Sequence, residues 1–153
     1  MNKENIIYLA GFLDGEGSFS LVKSRRKYHN KEGYYDNYWV FLSVTNTDES
    51  VIKWIKTITG TGFIYSKSPR GNRKKQFIWG ASASQAYLVI ESVLPFLKVK
   101  SVQATLLKEF QEQMDKQRKE RLSQGRGALV KQEYWRLREH YYLLLKELNR
   151  RGR

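Results

Sequence analysis

One ten-residue stretch carries most of the structural information in this chain: Leu9-Ala10-Gly11-Phe12-Leu13-Asp14-Gly15-Glu16-Gly17-Ser18. Gly11 and Gly15 lie four residues apart, so in a helix they share one face, and their small size lets a second helix approach closely. Glycine is common at helix C-termini, and Gly15 and Gly17 therefore predict that the helix ends near the acidic residues Asp14 and Glu16. A closely packed helix end that presents carboxylates indicates a metal site rather than an ordinary surface.

The hydrophobic periodicity of residues 1–100 predicts an α+β fold. The predicted elements are, in chain order, a helix capped by Asn5 and running to residue 14, strands at 18–27 and 35–46, a helix capped by Thr47 or Asp48 and running to residue 60, strands at 62–68 and 75–81, and a helix at 84–94. This order, αββαββα, favours one antiparallel four-stranded sheet with helices on a single face. The other face of the sheet remains open to a partner.

The composition changes after residue 100, where a helical extension is predicted rather than a second domain. Residues 1–153 would then form one domain, with its core in residues 1–100 and the extension in residues 101–153. An apolar stripe that begins at Val102 fades into a basic run, and glycines interrupt the pattern shortly afterwards. A second C-terminal helix is predicted at 129–148, followed by a basic tail.

The net charge of +13, with a pI near 9.9, far exceeds what solubility requires. Such an excess of cations favours a polyanionic partner, with nucleic acid ahead of an anionic membrane surface. There is no apolar run of membrane-spanning length and no N-terminal signal sequence, which predicts an intracellular protein, in an organelle matrix or a bacterial cytoplasm. Cysteine is absent and only two histidines occur, so a metal ion would be a hard cation held by oxygen ligands.

The stretch at 9–18 resembles the LAGLIDADG motif, and the chain, which has one copy, resembles the single-motif members of the LAGLIDADG homing endonuclease family. The resemblance implies a magnesium-dependent double-strand break in a long, partly palindromic double-stranded DNA target, with roughly two or three Mg²⁺ ions per dimer that other divalent cations can replace. It also implies a homodimer in which the two motif helices pack together through Leu9, Ala10, Gly11, Leu13 and Asp14.

The same resemblance assigns catalytic roles to particular residues. Glu16 occupies the position of the metal-binding carboxylate, and the backbone carbonyl of Gly15 would be a supporting ligand. Asn46, at the end of the second strand, matches an amide residue that orders water near the metal, and Lys100 matches a lysine that polarises the phosphate or orients solvent. A second basic residue is expected early in the helix after Asn46, where the chain departs from the family pattern and offers none before Lys53.

Antiparallel strands can follow the major groove of DNA, so the open face of the sheet is expected to bind it. The residues assigned to DNA binding, by alternation or as cations near the tip of the second hairpin, are Ser20, Ser24, Arg26, Tyr28, Asn37, Ser43, Thr45, Tyr65, Lys67, Arg70, Arg73 and Lys75. The dense cations between 67 and 75 would hold phosphates, which adds affinity without sequence information. Trp39 and Phe41 would contact thymine methyl groups, or lie near a subunit or loop surface.

Two other kinds of function are compatible with these residues. One is a binding protein of the same fold without nuclease activity, either a maturase that binds its host intron RNA or a DNA-binding regulator. The other sets the motif aside and uses the charge alone: a basic RNA-binding or ribosome-associated protein. The presence of Glu16 disfavours a regulator, because a pure binding protein has no use for an unpaired carboxylate beside phosphate.

Overall fold

The structure is a computed structural model that describes residues 1–29, 32–69, 71, 74–125 and 130–151. Its elements are, in chain order, α1 (Lys3–Glu16), β1 (Gly17–Lys27), β2 (Tyr34–Asn46), α2 (Glu49–Thr59), β3 (Phe63–Lys67), β4 (Gln76–Ser82), α3 (Ala83–Val93), a short 3₁₀ turn (Leu94–Phe96), α4 (Ser101–Ser123) and α5 (Gln132–Arg151). The α+β class, the αββαββα order and the C-terminal helices are confirmed. Each strand begins and ends within a single residue of its predicted position.

The first helix begins earlier and ends later than predicted. Its N-cap is Asn2 and not Asn5, because the Oδ1 atom of Asn2 accepts the N–H of Asn5 at 2.9 Å. The helix continues to Glu16, and the chain then passes directly into β1 through Gly17, whose backbone is extended. Gly17 is required by space, since a Cβ atom there would lie 2.5 Å from the carbonyl oxygen of Leu13.

The four strands form one antiparallel sheet in the order β1-β2-β4-β3. β1 and β2 are paired along their whole hairpin, whereas β4 pairs with β2 only over residues 41–46. On the β4 side, the edge of β2 over residues 35–40 therefore has no neighbouring strand among the described residues. This free edge lies at the end of the sheet farthest from the junction between α1 and β1.

The hydrophobic core lies between one face of the sheet and the helices. Alternation along β2 places Tyr38, Val40, Leu42 and Val44 on this face, each at most 4% exposed, as the sequence pattern predicts. The helices contribute a further set of buried residues, which are Leu9, Ala10, Leu13, Ile52, Ile55, Ala86, Val89, Ile90, Val93, Ala104, Leu107, Phe110 and Leu145. All five α-helices thus pack on the same core.

The last helix, α5, is tied to the sheet by polar contacts as well as by the core. The carboxylate of Glu139 in α5 accepts hydrogen bonds from Lys23 Nζ at 2.7 Å and from the hydroxyl of Tyr38. Desolvation, together with the bond to Glu139, raises the pKa of Tyr38 to about 12. Farther along α5, Asn149 Nδ2 donates to the carbonyl of Phe19 at 2.9 Å. Among the described residues, no helix combines the length and apolar character needed to cross a membrane.

The Gly17→Ala substitution is expected to lower the free energy of unfolding by about 1–3 kcal/mol, because the added methyl group would meet the backbone of Leu13. Chemical denaturation followed by circular dichroism measures this change. Ser18→Ala, at the exposed neighbouring position, is the control and should shift stability by less than about 0.5 kcal/mol. Equal stability of Gly17→Ala and the unsubstituted protein would contradict the close packing of this junction.

Candidate active site and nucleic-acid interface

The C-terminal end of α1 is held by the loop that precedes α4. Asp14, in the last turn of α1, accepts hydrogen bonds from the backbone N–H groups of Lys98 (2.7 Å) and Lys100 (2.9 Å). Desolvation raises the pKa of Asp14, but these N–H groups, that of Val99 and the charge of Lys100 outweigh it, so the pKa lies below its ordinary value. The carboxylate of Asp14 therefore joins two segments that are distant in sequence.

The side chain of Lys100 closes the same helix end. Its ammonium group donates to the carbonyl oxygens of Leu13 (3.1 Å), Gly15 (3.3 Å) and Gly17 (2.7 Å). Carbonyl groups at a helix C-terminus lack intrahelical partners and carry partial negative charge, so they attract a cation. Burial lowers the pKa of Lys100, although the charges of the two carboxylates at the end of α1 oppose this shift.

Glu16 is the last residue of α1, and its side chain is exposed to solvent, whereas Asp14 is partly buried. It lies close enough to Lys100 for its charge to act on the pKa of that lysine. Gly15 is exposed as well, and a Cβ atom built on it would meet nothing within 4 Å. The end of α1 thus presents a free carboxylate, an unobstructed stretch of backbone and a lysine to an approaching ligand.

Asn46 ends β2 beside the start of β1, because the strands are antiparallel and Gly17 pairs with Val44. Its Oδ1 atom accepts the N–H of Asp48 at 2.9 Å, and Asp48 in turn caps α2. Within the part of the chain that the structure describes, the Nδ2 group of Asn46 makes no hydrogen bond. Lys53, the first basic residue of α2, forms an exposed ion pair with Glu49, one turn earlier in the same helix, at 3.0 Å.

The donor set at the end of α1 suits a hard cation. The carboxylate of Glu16 and the carbonyl of Gly15 are oxygen ligands of the kind that Mg²⁺ prefers, and the bonds from Lys100 Nζ show that these carbonyls attract positive charge. Over residues 1–29, 32–69, 71, 74–125 and 130–151, no group of three or more acidic, histidine or cysteine side chains could hold a metal ion.

The helix α1 has one buried side and one exposed side, which corrects the predicted dimer interface. Leu9, Ala10 and Leu13 are 0% exposed because they pack into the core of their own chain, so they offer no surface to a partner. Asp14, also predicted there, is engaged by the loop before α4. Beyond its charged first turn, which holds Lys3 and Glu4, the exposed side is apolar or bare, with Ile7 (46% exposed), Tyr8 (61% exposed), Gly11 and Gly15. Such a face suits contact with another helix.

The strand registers place most of the residues predicted to bind DNA on the open face of the sheet. These are Ser20, Ser24, Arg26, Asn37, Ser43, Thr45, Tyr65 and Lys67. Tyr28 lies just beyond β1 and packs against the ring of Tyr35 (5.0 Å between centroids). Lys75 lies before β4 with its ammonium 5.0 Å from the centre of the Phe77 ring, and its part in holding phosphate stays a prediction. Two predicted residues lie outside the described part of the chain, Arg70 and Arg73.

Part of the open face is apolar, and it extends beyond the Trp39 and Phe41 that alternation along the second strand places there. Phe41, Phe63 and Tyr65 form a row of rings with centroid separations of 6.2 and 5.9 Å. The same face holds Ile78, which is 2% exposed, and Gly80, where a Cβ atom would come within 2.9 Å of the Phe41 ring. The open face therefore has a polar part on β1 and β2 and an aromatic part on β2 and β3.

An antiparallel sheet covered on one side by helices, entered through a glycine-bearing helix with an acidic end, is the architecture of a homing endonuclease. The family model described as LAGLIDADG endonuclease matches residues 9–111. The chain belongs to that family.

Several solved structures share the fold. One is the homing endonuclease I-CvuI in complex with the I-CreI target in the presence of Mg, with a TM-score of 0.61 and 21% identity over 74% of this chain and 69% of that chain. The archaeal intron-encoded homing endonuclease I-Vdi141I complexed with DNA gives a TM-score of 0.58 and 20% identity over 74% and 70% of the two chains. The group I intron-encoded homing endonuclease I-CeuI complexed with DNA gives a TM-score of 0.53 and 21% identity over 80% of this chain and 61% of that chain. No curated protein matches the chain.

Asp14→Asn is expected to lower the free energy of unfolding at neutral pH by about 1–3 kcal/mol, because an amide has one acceptor oxygen where the carboxylate uses two. The pKa of Asp14 is lowered by folding, so its stabilisation is present above the ordinary carboxyl pKa of about 3.9 and is lost as pH falls through the folded value. The difference between the two proteins should therefore shrink on acidification.

Denaturant titrations at neutral and acidic pH measure this difference. Asp115→Asn is the matched control, since Asp115 is exposed and accepts one bond, from a side chain of its own helix at 3.2 Å; it should change stability by less than about 0.5 kcal/mol. A penalty for Asp14→Asn that persists unchanged in acid would show that the carboxylate charge does not hold the loop.

Proposed function

We propose that two copies of this chain form a magnesium-dependent, sequence-specific DNA endonuclease that cuts both strands of a long, partly palindromic target. The observation that carries the proposal is the position of Glu16, which is exposed at the point where the bare side of α1 reaches the sheet, beside Lys100. Membership of the LAGLIDADG endonuclease family supports the same activity. The similar structures named above are complexes with DNA, and one of them was obtained in the presence of Mg.

The two chains pair through the exposed side of α1. Ile7 and Tyr8 supply apolar area for this contact, and Gly11 and Gly15 allow the two helix backbones to approach closely. A two-fold axis near the glycines brings the two Glu16 carboxylates to the same stretch of DNA. Each chain then provides one metal-binding carboxylate for one DNA strand, which explains why a single chain needs only one such carboxylate.

Each residue at the end of α1 has a distinct part in phosphodiester hydrolysis. Bound Mg²⁺, held by the Glu16 carboxylate and the Gly15 carbonyl, would supply an activated water and neutralise charge on the phosphate. Lys100 donates through Nζ to backbone carbonyls, including that of Gly17 at 2.7 Å, and can give a hydrogen bond to a phosphate oxygen instead. The amide of Asn46, whose Oδ1 atom is fixed by the turn before α2, orients solvent at the scissile bond.

The open face of the sheet reads the target in the major groove. Its polar part, which includes Asn37, Ser43 and Thr45, offers donors and acceptors to base edges. Its aromatic part, with Phe63 and Tyr65, suits the methyl groups of thymine, so thymine is expected at the base pairs beneath it. The net charge of +13 supplies phosphate affinity that falls steeply with salt.

Glu16→Gln is expected to abolish cleavage while leaving DNA affinity within about threefold of the unsubstituted protein, because the amide keeps the shape but loses the negative charge that binds Mg²⁺. Duplexes selected from a random pool by binding to the protein serve as substrate. Binding is measured by fluorescence anisotropy in Ca²⁺, and cleavage by gel electrophoresis in Mg²⁺.

Glu4→Gln is the matched control for this substitution, since Glu4 is exposed in the first turn of the same helix. It should cleave at the normal rate. A Glu16→Gln protein that cuts its selected duplex as fast as Glu4→Gln does would overturn the assignment of the metal ligand.

Gly11→Leu is expected to yield a folded monomer that makes no double-strand breaks. The position has free space around it within the chain, so the fold tolerates the side chain, whereas the closely packed helix pair does not. Analytical ultracentrifugation and circular dichroism measure assembly and folding. Thr57→Leu, on the exposed surface of α2, is the control and should remain a dimer; dimers of normal stability for Gly11→Leu would place the interface elsewhere.

A further inference from the structure

A second site lies at the far end of the β1–β2 hairpin from Glu16. A cavity of about 580 Å³ opens there between the free edge of β2, the C-terminal half of α4 and the beginning of α5. The 11 residues of β1 separate this end of the sheet from the end of α1, which corresponds to roughly 30 Å of extended chain. Cavities of this size are typical of small-molecule sites.

A buried arginine lines the cavity. Arg138 in α5 is only 8% exposed, and its Nε and one terminal nitrogen both donate to a single acceptor, the Oε1 atom of Gln117, at 3.1 and 2.7 Å. A guanidinium group has five N–H donors, so this neutral partner satisfies a minority of them. Burial of a charged group without an opposite charge is costly, and such a group is usually paired.

The acids around the cavity do not neutralise Arg138. Glu120 is engaged by Lys131 at 2.6 Å and by the hydroxyl of Tyr134. Burial lowers the pKa of Arg138 and the charge of a second arginine, Arg121, lowers it further; Tyr38 opposes these shifts, and no carboxylate of the described residues does. Among the described residues that line it, the cavity wall is cationic, with five basic side chains against two acidic ones: Lys27, Arg118, Arg121, Lys131 and Arg138 against Asp115 and Glu120.

Aromatic rings line the cavity next to this charge. The guanidinium of Arg138 lies 4.9 Å from the centre of the Trp135 ring. The ring of Tyr35 follows at 6.0 Å from that of Trp135, and the ring of Tyr28 at 5.0 Å from that of Tyr35. A run of three rings that ends on a buried cation matches a ligand with a planar aromatic part and an anionic part.

We propose that this cavity binds a nucleotide, with its phosphate on Arg138 and Arg121 and its base against Trp135, Tyr35 and Tyr28. Arginine is the side chain best suited to phosphate, because its planar N–H groups match two oxygens at once. The nucleotide can be a free molecule or an unpaired nucleotide of a nucleic-acid strand, since both present the same phosphate and base. The site is separate from the end of α1, so the proposal does not depend on the nuclease activity.

Isothermal titration calorimetry of the full chain in EDTA tests the proposal, because the absence of divalent cations removes any contribution from cleavage. The probes are AMP, adenosine, inorganic phosphate and a short single-stranded deoxyadenosine oligonucleotide. AMP is expected to bind saturably and at least about tenfold more tightly than adenosine or phosphate, because only AMP fills both parts of the site. If the oligonucleotide binds and AMP does not, the ligand is a nucleotide of a strand.

Two pairs of variants separate this site from general basic charge. Arg138→Gln is expected to weaken AMP binding by about tenfold or more, against Arg136→Gln, an exposed arginine of the same helix. Arg121→Gln is expected to weaken it by about threefold, against the exposed Lys119→Gln on α4. Circular dichroism checks that the variants fold. If Arg138→Gln unfolds, Arg121→Gln still tests the proposal, because Arg121 is exposed.

The proposal is overturned if the folded chain binds neither AMP nor the oligonucleotide. It is equally overturned if Arg121→Gln and a folded Arg138→Gln bind as their controls do. Affinity for adenosine equal to that for AMP would show that the site does not bind the phosphate. Affinity for inorganic phosphate equal to that for AMP would show that it does not bind the base, and either result would contradict the proposal.

Discussion

Asp14 and Lys100 form reciprocal links between the end of α1 and the residues that lead into α4. The carboxylate of Asp14 accepts hydrogen bonds from two backbone N–H groups of that segment. In return, the Lys100 ammonium donates three hydrogen bonds to carbonyl oxygens of the helix end. These links join the first and last parts of the αββαββα unit. Because Asp14 is used in this way, Glu16 is left as the acid that faces solvent at this helix end, which is the position of the proposed metal ligand.

The same junction fixes the orientation of α1 and hence the face that it offers to a partner. Gly17 packs so closely on the backbone of Leu13 that the helix passes into β1 without an intervening loop. The buried side of α1 is thereby directed to the core, and the side bearing Ile7 and Gly11 is directed outwards. The same junction therefore fixes the positions of the proposed dimer contact, the acidic end and the open sheet face relative to one another.

Much of the fold and of the candidate site could be predicted from local sequence patterns. Where those predictions fail, the reason is physical. Alternation along β2 is complete, so its faces were predictable, whereas Gln76-Phe77-Ile78-Trp79 has no alternation and its register depends on pairing with two neighbours. Apolar residues surround most of α1, and the sequence does not show which of them its own core will cover. Arg138 and Gln117 meet across two helices, and no short-range pattern reports such a contact.

The claim at the centre is that the end of α1 is where a divalent cation meets the DNA backbone. Paramagnetic broadening by Mn²⁺ in the amide spectrum of the DNA-bound protein tests it most directly, because the effect depends only on distance from the ion. The signals of Gly15, Glu16, Gly17 and Lys100 are expected to broaden first as Mn²⁺ is added. Broadening that begins elsewhere in the chain, with these four signals unaffected, would contradict it.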